Sequence, residues 1–547
     1  MINMQKNNNY RIILSISLVI FLYFANSLLL NRNHYTNHLF LIFNEAHEFL
    51  NGMQLYKEVY VKYGIGQTLI NAASLYLFGE NWFSIYLTAN IFYFLSIFFI
   101  LLICLKLRFS YSEIFFLIII LINIHPKLVL PWANYLAFLP ISISLYLLLF
   151  KDKKINYLLS GAFLAASCLI RETIIISAVI IFICIIFYLK INKKKRDEII
   201  FYITGFFLPL LIYAVYMFVT SNYLIWYELI LPAYKYESLN NVGYYINDSN
   251  THLRKVYIYF FGPFRLLVLT FIDTLLHFWA DWILIYTSYA CCIFVLYKEI
   301  FKNKFLAENK KNNFELVIIS IYSLSLIIQN LHAVEIFRVS TGSIVGILVL
   351  NYHFTRIINN SKIKNIIYVI ILIFLYVNSF GTWGRQMTNK KFYELSFNNI
   401  QNNFINTFAY EKKMINYEAI KEFGVMNYDS SIHKFLNKFK KDCVNLVKNN
   451  GIKYSYNHDN AWELNYFCGT RPAYYFLFPA KQFAEIYKEA KYIKKNNITN
   501  ENTIEFFLSD KSYLEKYKII RVYKIKDLPD DLFFGKKYLL IIQNINK

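Results

Sequence analysis

The sequence is poor in proline, glycine and cysteine, with 9, 16 and 7 of these residues among 547. Collagen-like chains need glycine at every third position and disulfide scaffolds need dense cysteine, so both classes are excluded. Charged residues are also scarce, at 17%. Hydrophobic residues reach 57% and aromatic residues 19%, which is too apolar for a disordered chain. With a mean hydropathy of +0.36, the composition predicts a membrane protein.

Metal and nucleotide motifs are lacking as well. The sequence contains no Cys-x-x-Cys and no His-Glu-x-x-His, and its ten histidines are scattered. A Walker loop and a glycine-rich dinucleotide fingerprint are also missing. We therefore expect neither a bound metal nor a nucleotide cofactor.

The net charge of +22 has several possible sources. Much of the lysine is explained by A/T-rich codon usage, since Ile, Asn, Lys, Phe and Tyr are all abundant. Nucleic-acid binding would require a basic soluble domain with a recognisable reading motif, whereas the basic residues lie mainly between apolar segments. We expect membrane lipid, and no nucleic acid, as a partner.

Apolar runs of about twenty residues predict about eleven transmembrane helices. The first, residues 11–30, has no convincing cleavage site after it and is interpreted as an uncleaved signal anchor. The others are predicted at residues 82–105, 112–124, 131–150, 155–170, 173–189, 199–220, 280–297, 314–331, 339–352 and 363–382.

The distribution of lysine and arginine predicts the orientation. The loops around residues 106–108, 151–154, 190–196, 298–311 and 356–364 are all basic, which is typical of the cytoplasmic side. The N-terminus is then cytoplasmic, and the longer loops 31–80 and 221–279 lie outside. We expect a polytopic protein of the cytoplasmic (inner) membrane over residues 1–383, followed by an extracytoplasmic domain over residues 384–547.

The tail has the pattern of a soluble α/β domain. An amphipathic helix is predicted between Asp429 and Gly451. Strands are predicted at residues 452–456, 503–508, 518–525 and 538–543. Cys443 and Cys468 are its two cysteines, and they form either a disulfide in an oxidising compartment or two buried free thiols.

Two carboxylates follow the first apolar segment. Glu45 and Glu48 lie three residues apart and would share one face of a helix. A carboxylate in a partly hydrated cavity can act as a general base toward a hydroxyl group. The alternative is a solvated helix at the membrane surface, and the spacing alone favours that alternative.

Several short motifs follow one another in a characteristic order. They are Asn44-Glu45, Gly52, Leu55-Tyr56-Lys57-Glu58, Val59-Tyr60-Val61-Lys62-Tyr63-Gly64, Leu77-Phe78-Gly79, a small-residue helix ending in Arg171-Glu172-Thr173, and Phe467-Cys468-Gly469-Thr470-Arg471-Pro472. Their order and sidedness resemble the GT-C fold glycosyltransferases, which include protein O-mannosyltransferases and aminoarabinose transferases of lipid A. The motifs cover only short stretches of the sequence. The resemblance of the architecture extends over the whole chain.

The resemblance implies transfer of a sugar from a polyprenyl-phosphate donor to a glycan, lipid or protein acceptor at the outer membrane face. In the family, the first residue of the acidic pair is an aspartate that is the proposed base, and here it is Asn44. Because an amide cannot take up the proton, either Glu45 has this role, or the base lies elsewhere, or the chain has lost the reaction. Glu58 occupies the family's later acidic position and is the alternative carboxylate.

The resemblance also implies fixed cations for the departing phosphate. Arg171, Arg338 and Lys127 fall at predicted outer ends of transmembrane helices, where each could instead extend to the membrane interface as a snorkelling side chain. Asn44, His332 and Arg471 are further candidates for the cavity. The other interpretations are a lipid or polysaccharide transporter, a polysaccharide polymerase, and a non-catalytic membrane scaffold.

Overall fold

The computed structural model describes only part of the 547-residue chain. The described residues are 37–56, 59, 61, 63–124, 131–149, 153–191, 196–220, 223, 280–301, 310–327, 336–358, 360–382, 430–457, 464, 468–472, 503–510, 512, 517–525 and 537–544. The predicted first transmembrane segment, residues 11–30, lies outside them.

The described chain is mostly helical. Its helices are α1 (Asn37–Leu50), α2 (Ile65–Phe78), α3 (Trp82–Lys106), α4 (Tyr111–Ile124), α5 (Ala133–Leu149), α6 (Lys154–Ile170), α7 (Ile175–Ile191), α8 (Arg196–Val219), α9 (Ala280–Phe301), α10 (Lys310–Leu326), α11 (Ile336–Ile357), α12 (Ser361–Thr382) and α13 (Ser430–Asn450). Each apolar segment predicted from residue 82 to residue 382 is helical in its described residues, apart from one or two residues at some of the segment ends. The segment 31–80, expected as a polar loop, contains α1 and α2, and α2 was not predicted.

Three helices are long and apolar enough to cross a membrane, namely Ser84–Lys106, Glu172–Ile191 and Arg196–Val219. The last of these leaves large apolar side chains exposed, such as Phe218, which is 71% exposed. Such a surface is unfavourable in water and suits lipid. Together with the composition, these helices indicate a membrane protein. The number of eleven crossings and the orientation stay predictions.

The described residues belong to two compact units. One unit contains those within Ala89–Val215 and Tyr236–Ile405, and the other contains those within Leu29–Thr88, Tyr216–Lys235 and Asn406–Lys547. The predicted division at residues 383 and 384 stays a prediction.

Two glycines bring α6 and α8 into close contact. A Cβ added to Gly205 would collide with the backbone carbonyl of Leu158, and one added to Gly161 would lie 2.7 Å from the backbone nitrogen of Phe206. Small residues at such crossings let helix backbones approach closely. The close packing of α6 on α8 therefore depends on glycine, which has no side chain, at both positions.

Replacing Gly205 with alanine should lower the free energy of unfolding by about 1–3 kcal/mol, because overpacking a tight helix contact forces the backbones apart. Helix propensity alone predicts the opposite sign, a gain of about 1 kcal/mol. Thermal unfolding of the full chain in lipid nanodiscs measures the change. Leu211→Ala on the exposed face of α8 is the control, and a Gly205→Ala protein that is more stable than the wild type would contradict this packing.

The tail contains a mixed sheet. Its strands are β1 (Tyr454–Asn457), β2 (Arg471–Pro472), β3 (Thr503–Ser509), β4 (Tyr517–Lys524) and β5 (Tyr538–Asn544), in the order β2-β1-β3-β5-β4. β1 pairs in parallel with β2 and β3, and β5 pairs antiparallel with β3 and β4. All four predicted strands are present within two residues of their predicted ends, and only the two-residue β2 was missed.

Helix α13 packs on this sheet, as its apolar periodicity predicts. Phe439 stacks edge-on against Phe506 of β3 and Tyr523 of β4. The Tyr523 hydroxyl donates to Asp442 Oδ2 at 3.3 Å, and burial, followed by the charge of Asp442, raises the pKa of Tyr523. Cys443 and Cys468 form a disulfide, so of the two alternatives for this pair the free thiols are wrong.

Candidate functional site

Glu45 lies on the face of α1 that packs against α2. Its side chain is only 1% exposed, and the Thr68 hydroxyl of α2 donates to Glu45 Oε2 at 3.1 Å. Asn44 and Glu48 are buried as well. The interpretation of α1 as a solvated helix is therefore wrong, because Glu45 is bonded to α2 and both carboxylates are buried. The spacing of Glu45 and Glu48 contains no information about the helix that packs on them.

The contacting face of α2 is polar. Its buried polar side chains are Gln67, Thr68, Asn71 and Ser74. Ser74 donates to the backbone carbonyl of Ser84 at 2.6 Å and accepts from the Thr88 hydroxyl at 2.7 Å, which links α2 to α3. This face was not predicted from the sequence, although polar residues at helical spacing within an apolar stretch are a signal for it.

His47 connects the end of α1 to the turn between α2 and α3. Its Nε2 lies 3.5 Å from Glu80 Oε2, and its Nδ1 lies 3.9 Å from Glu48 Oε1 and 3.1 Å from the Asn51 amide. Glu80 is exposed and His47 is half-buried, so the contact between these two side chains is weak. The contact between His47 and Glu80 therefore adds little to the packing of α1 on α2.

The loop after α1 is tightly folded. The Tyr56 amide donates to the Val59 carbonyl at 2.9 Å, and the Val59 amide donates to the Gln54 carbonyl at 3.2 Å. Leu55, Tyr56 and Val59 are buried, so this motif of the resemblance forms part of the local core. Glu58, the alternative carboxylate, lies outside the described residues.

Arg171 ends α6 as a buried cation. Its side chain is 4% exposed, its amide donates to the Ser167 carbonyl at 3.0 Å, and its Nε donates to the Thr173 hydroxyl at 2.7 Å. The alternative of a snorkelling, exposed arginine is wrong for this residue, because the turn Glu172–Ile174 folds against it. Burial makes a guanidinium a stronger partner for an anion, since water screens it less.

The remaining predicted site residues are less well defined. Arg338 lies near the start of α11 and Arg471 lies in β2. Lys127 and His332 lie outside the described residues. Of the predicted set, the structure thus places Asn44 and Glu45 next to each other on α1, and Arg171 belongs to the other unit.

Within the described parts of the chain, no group of three or more His, Cys, Asp or Glu residues is arranged to hold a metal ion. Comparison with protein-family models, curated proteins and solved structures finds no match for this chain. The site must therefore be interpreted from its own geometry.

Proposed function

We propose that this protein is a membrane glycosyltransferase of the GT-C type. It transfers a sugar from a polyprenyl-phosphate donor to an acceptor at the outer face of the cytoplasmic membrane. The observation that carries the proposal is the buried carboxylate of Glu45, positioned by the Thr68 hydroxyl immediately after the predicted first transmembrane segment.

In this reaction Glu45 is the general base. An acceptor hydroxyl attacks the anomeric carbon of the sugar while a Glu45 oxygen takes up the hydroxyl proton. The bond between the anomeric carbon and the phosphate oxygen breaks, and polyprenyl phosphate leaves with its bonding electrons. A single displacement inverts the anomeric configuration. Thr68 is a positioning residue, because its hydroxyl donates to one oxygen of Glu45 and fixes the carboxylate against α2.

Asn44 does not take part as a base in this proposal. Its buried amide occupies the position of the family's aspartate, and Glu45 follows it directly on α1. Glu45 therefore supplies the carboxylate that the proposal requires. The proposed roles of Glu58 as its partner, and of Arg338, Lys127, His332 and Arg471 in substrate binding, stay predictions.

Arg171 is the proposed phosphate-binding cation. Replacing it with lysine should raise the KM for the donor about tenfold, because lysine keeps the charge but loses the paired N–H groups that bind phosphate oxygens. Steady-state kinetics at varied donor concentration measure the change. Arg356→Lys, an exposed arginine of α11 in the same unit, is the control. An unchanged donor KM in the Arg171→Lys protein would remove Arg171 from the donor site.

The function itself is tested with the full chain in lipid nanodiscs. A panel of polyprenyl-phosphate hexoses and pentoses, each radiolabelled in the sugar, is offered with a membrane-glycan extract as acceptor. The expected result is loss of label from one donor, with release of polyprenyl phosphate detected by mass spectrometry. A folded protein that turns over none of the donors would refute the proposal.

A further inference from the structure

Asn71 is a buried residue on the polar face of α2. Its side chain is 0% exposed, and neither Nδ2 nor Oδ1 has a hydrogen-bond partner among the described residues. Burying an unpaired amide is costly, whereas an apolar side chain of similar size would cost nothing of this kind. Stability alone therefore does not explain an asparagine at this position.

The neighbours of Asn71 define the subsite. Thr68, three residues earlier on the same face of α2, is bonded to Glu45, and Ser74, three residues later, is bonded to Ser84 and Thr88. The polar face of α2 is thus hydrogen-bonded on both sides of Asn71. The unpaired amide lies one helical turn from the contact that positions the proposed base.

The charged side chains on α1 disfavour an anionic ligand near Asn71. Glu45 and Glu48 are both buried on α1, and the described residues of this unit include no buried lysine or arginine. Two carboxylates without a buried cation repel a phosphate or a carboxylate. An amide offers both a donor and an acceptor, and a hydroxyl group matches both.

We infer that Asn71 binds a hydroxyl group of a sugar without anionic groups, so that the acceptor of the reaction is a glycan whose accepting residue carries no negative charge. This inference rests on the proposed function. Asn71 orients the sugar ring through one hydroxyl, and Glu45 takes the proton from another. Asn71 is closed to solvent in this conformation, so the sugar enters when α1 moves away from α2, which breaks the Thr68–Glu45 hydrogen bond and the contact of His47 with Glu80.

The test uses the full chain in lipid nanodiscs and three kinds of probe. The neutral probes are methyl glycosides of glucose, galactose, mannose and N-acetylglucosamine. The cationic probe is the methyl glycoside of 2-amino-2-deoxyglucose, and the anionic probe is glucose 6-phosphate. Binding is measured by saturation-transfer NMR. We expect at least one neutral glycoside to bind more tightly than the anionic probe, and the cationic probe to bind at least as well as the anionic one.

Asn71→Leu should weaken this binding at least tenfold and, without ligand, raise the Tm, because the unpaired amide is gone. Asn71→Ala is the second variant in case leucine does not fit. Asn134→Leu is the matched control, since Asn134 on α5 is also buried with both amide atoms unpaired among the described residues. It should leave glycoside binding unchanged.

The inference is overturned by equal binding in the Asn71 variants, by preference for the anionic probe, or by no neutral glycoside binding at all. A fall in Tm with unchanged binding would also overturn it, because Asn71 would then have a purely structural role. If transfer depends on Glu45 but Asn71→Leu leaves the acceptor KM unchanged, the inference fails and the proposed function stands. If neutral glycosides bind through Asn71 but no donor is consumed, the proposed function fails and the sugar-binding role of Asn71 stands.

Discussion

Replacing Glu45 with glutamine should lower the kcat of sugar transfer by about a hundredfold or more, because an amide cannot accept the hydroxyl proton. Glutamine keeps the size of the side chain and can still accept the hydrogen bond from Thr68. The KM values for donor and acceptor should therefore change little. The measurement is steady-state transfer by the full chain in nanodiscs, with saturating donor and acceptor.

Two further variants separate chemistry from packing at this position. Glu48→Gln makes the same change one helical turn later and should lower kcat by less than about tenfold, because Glu48 lies beside His47 rather than Thr68. Thr68→Val removes one hydrogen bond to Glu45, worth about 1 kcal/mol, and should lower kcat about fivefold. A Glu45→Gln protein with wild-type kcat would exclude Glu45 as the base.

The second large effect concerns stability. Replacing Lys364 with methionine should lower the free energy of unfolding by about 3–5 kcal/mol, because it leaves the carboxylate of Glu113 without its cation in a buried position. Lys364 Nζ of α12 lies 2.7 Å from Glu113 Oε1 of α4, and the two side chains are 16% and 7% exposed. Glu113 Oε2 also accepts from the Ser110 amide at 2.7 Å, which fixes the carboxylate at the start of α4.

The double variant Glu113→Leu with Lys364→Met is the control for this pair. It removes both charges, so it should regain a large part of the lost stability, since an apolar pair avoids the cost of burying ions. Thermal unfolding in nanodiscs compares the two variants. The ion pair would be unimportant if the single and double variants unfolded at the same temperature as the wild type. Other contacts also hold α12 in place. The Tyr368 hydroxyl of α12, for example, donates to Asn351 Oδ1 of α11 at 2.6 Å.

The sequence predicted local structure well because local structure follows from local patterns. The length of the apolar segments predicted the helices from α3 to α12. The spacing of apolar residues at 3.6 per turn predicted α13, with Phe439 and Cys443 on its buried face. Alternating apolar residues and turn residues predicted four of the five strands in the described part of the tail. Helix α2 was missed because its polar residues interrupt an apolar stretch that is shorter than a transmembrane helix.

The candidate site was predicted only in part. The sequence singled out Glu45 and Arg171 from short motifs, and both are buried beside hydroxyl groups. It did not predict Thr68 or Asn71, since their importance depends on which side of α2 faces α1. The spacing of Glu45 and Glu48 fits a solvated helix as well as a buried one, and only the packing of α2 distinguishes the two.

By itself, the sequence determined that this is a membrane protein with apolar helices and an α/β tail, because hydropathy and periodicity are properties of neighbouring residues. The tertiary structure decided which polar groups meet. Glu113 and Lys364 are 251 residues apart in the chain, and Gly205 meets the backbone of Leu158 on another helix. Such contacts depend on how whole helices pack, and a single sequence contains no local signal for them. The burial of Glu45 beside Thr68, on which the proposed chemistry depends, is a contact of the same kind.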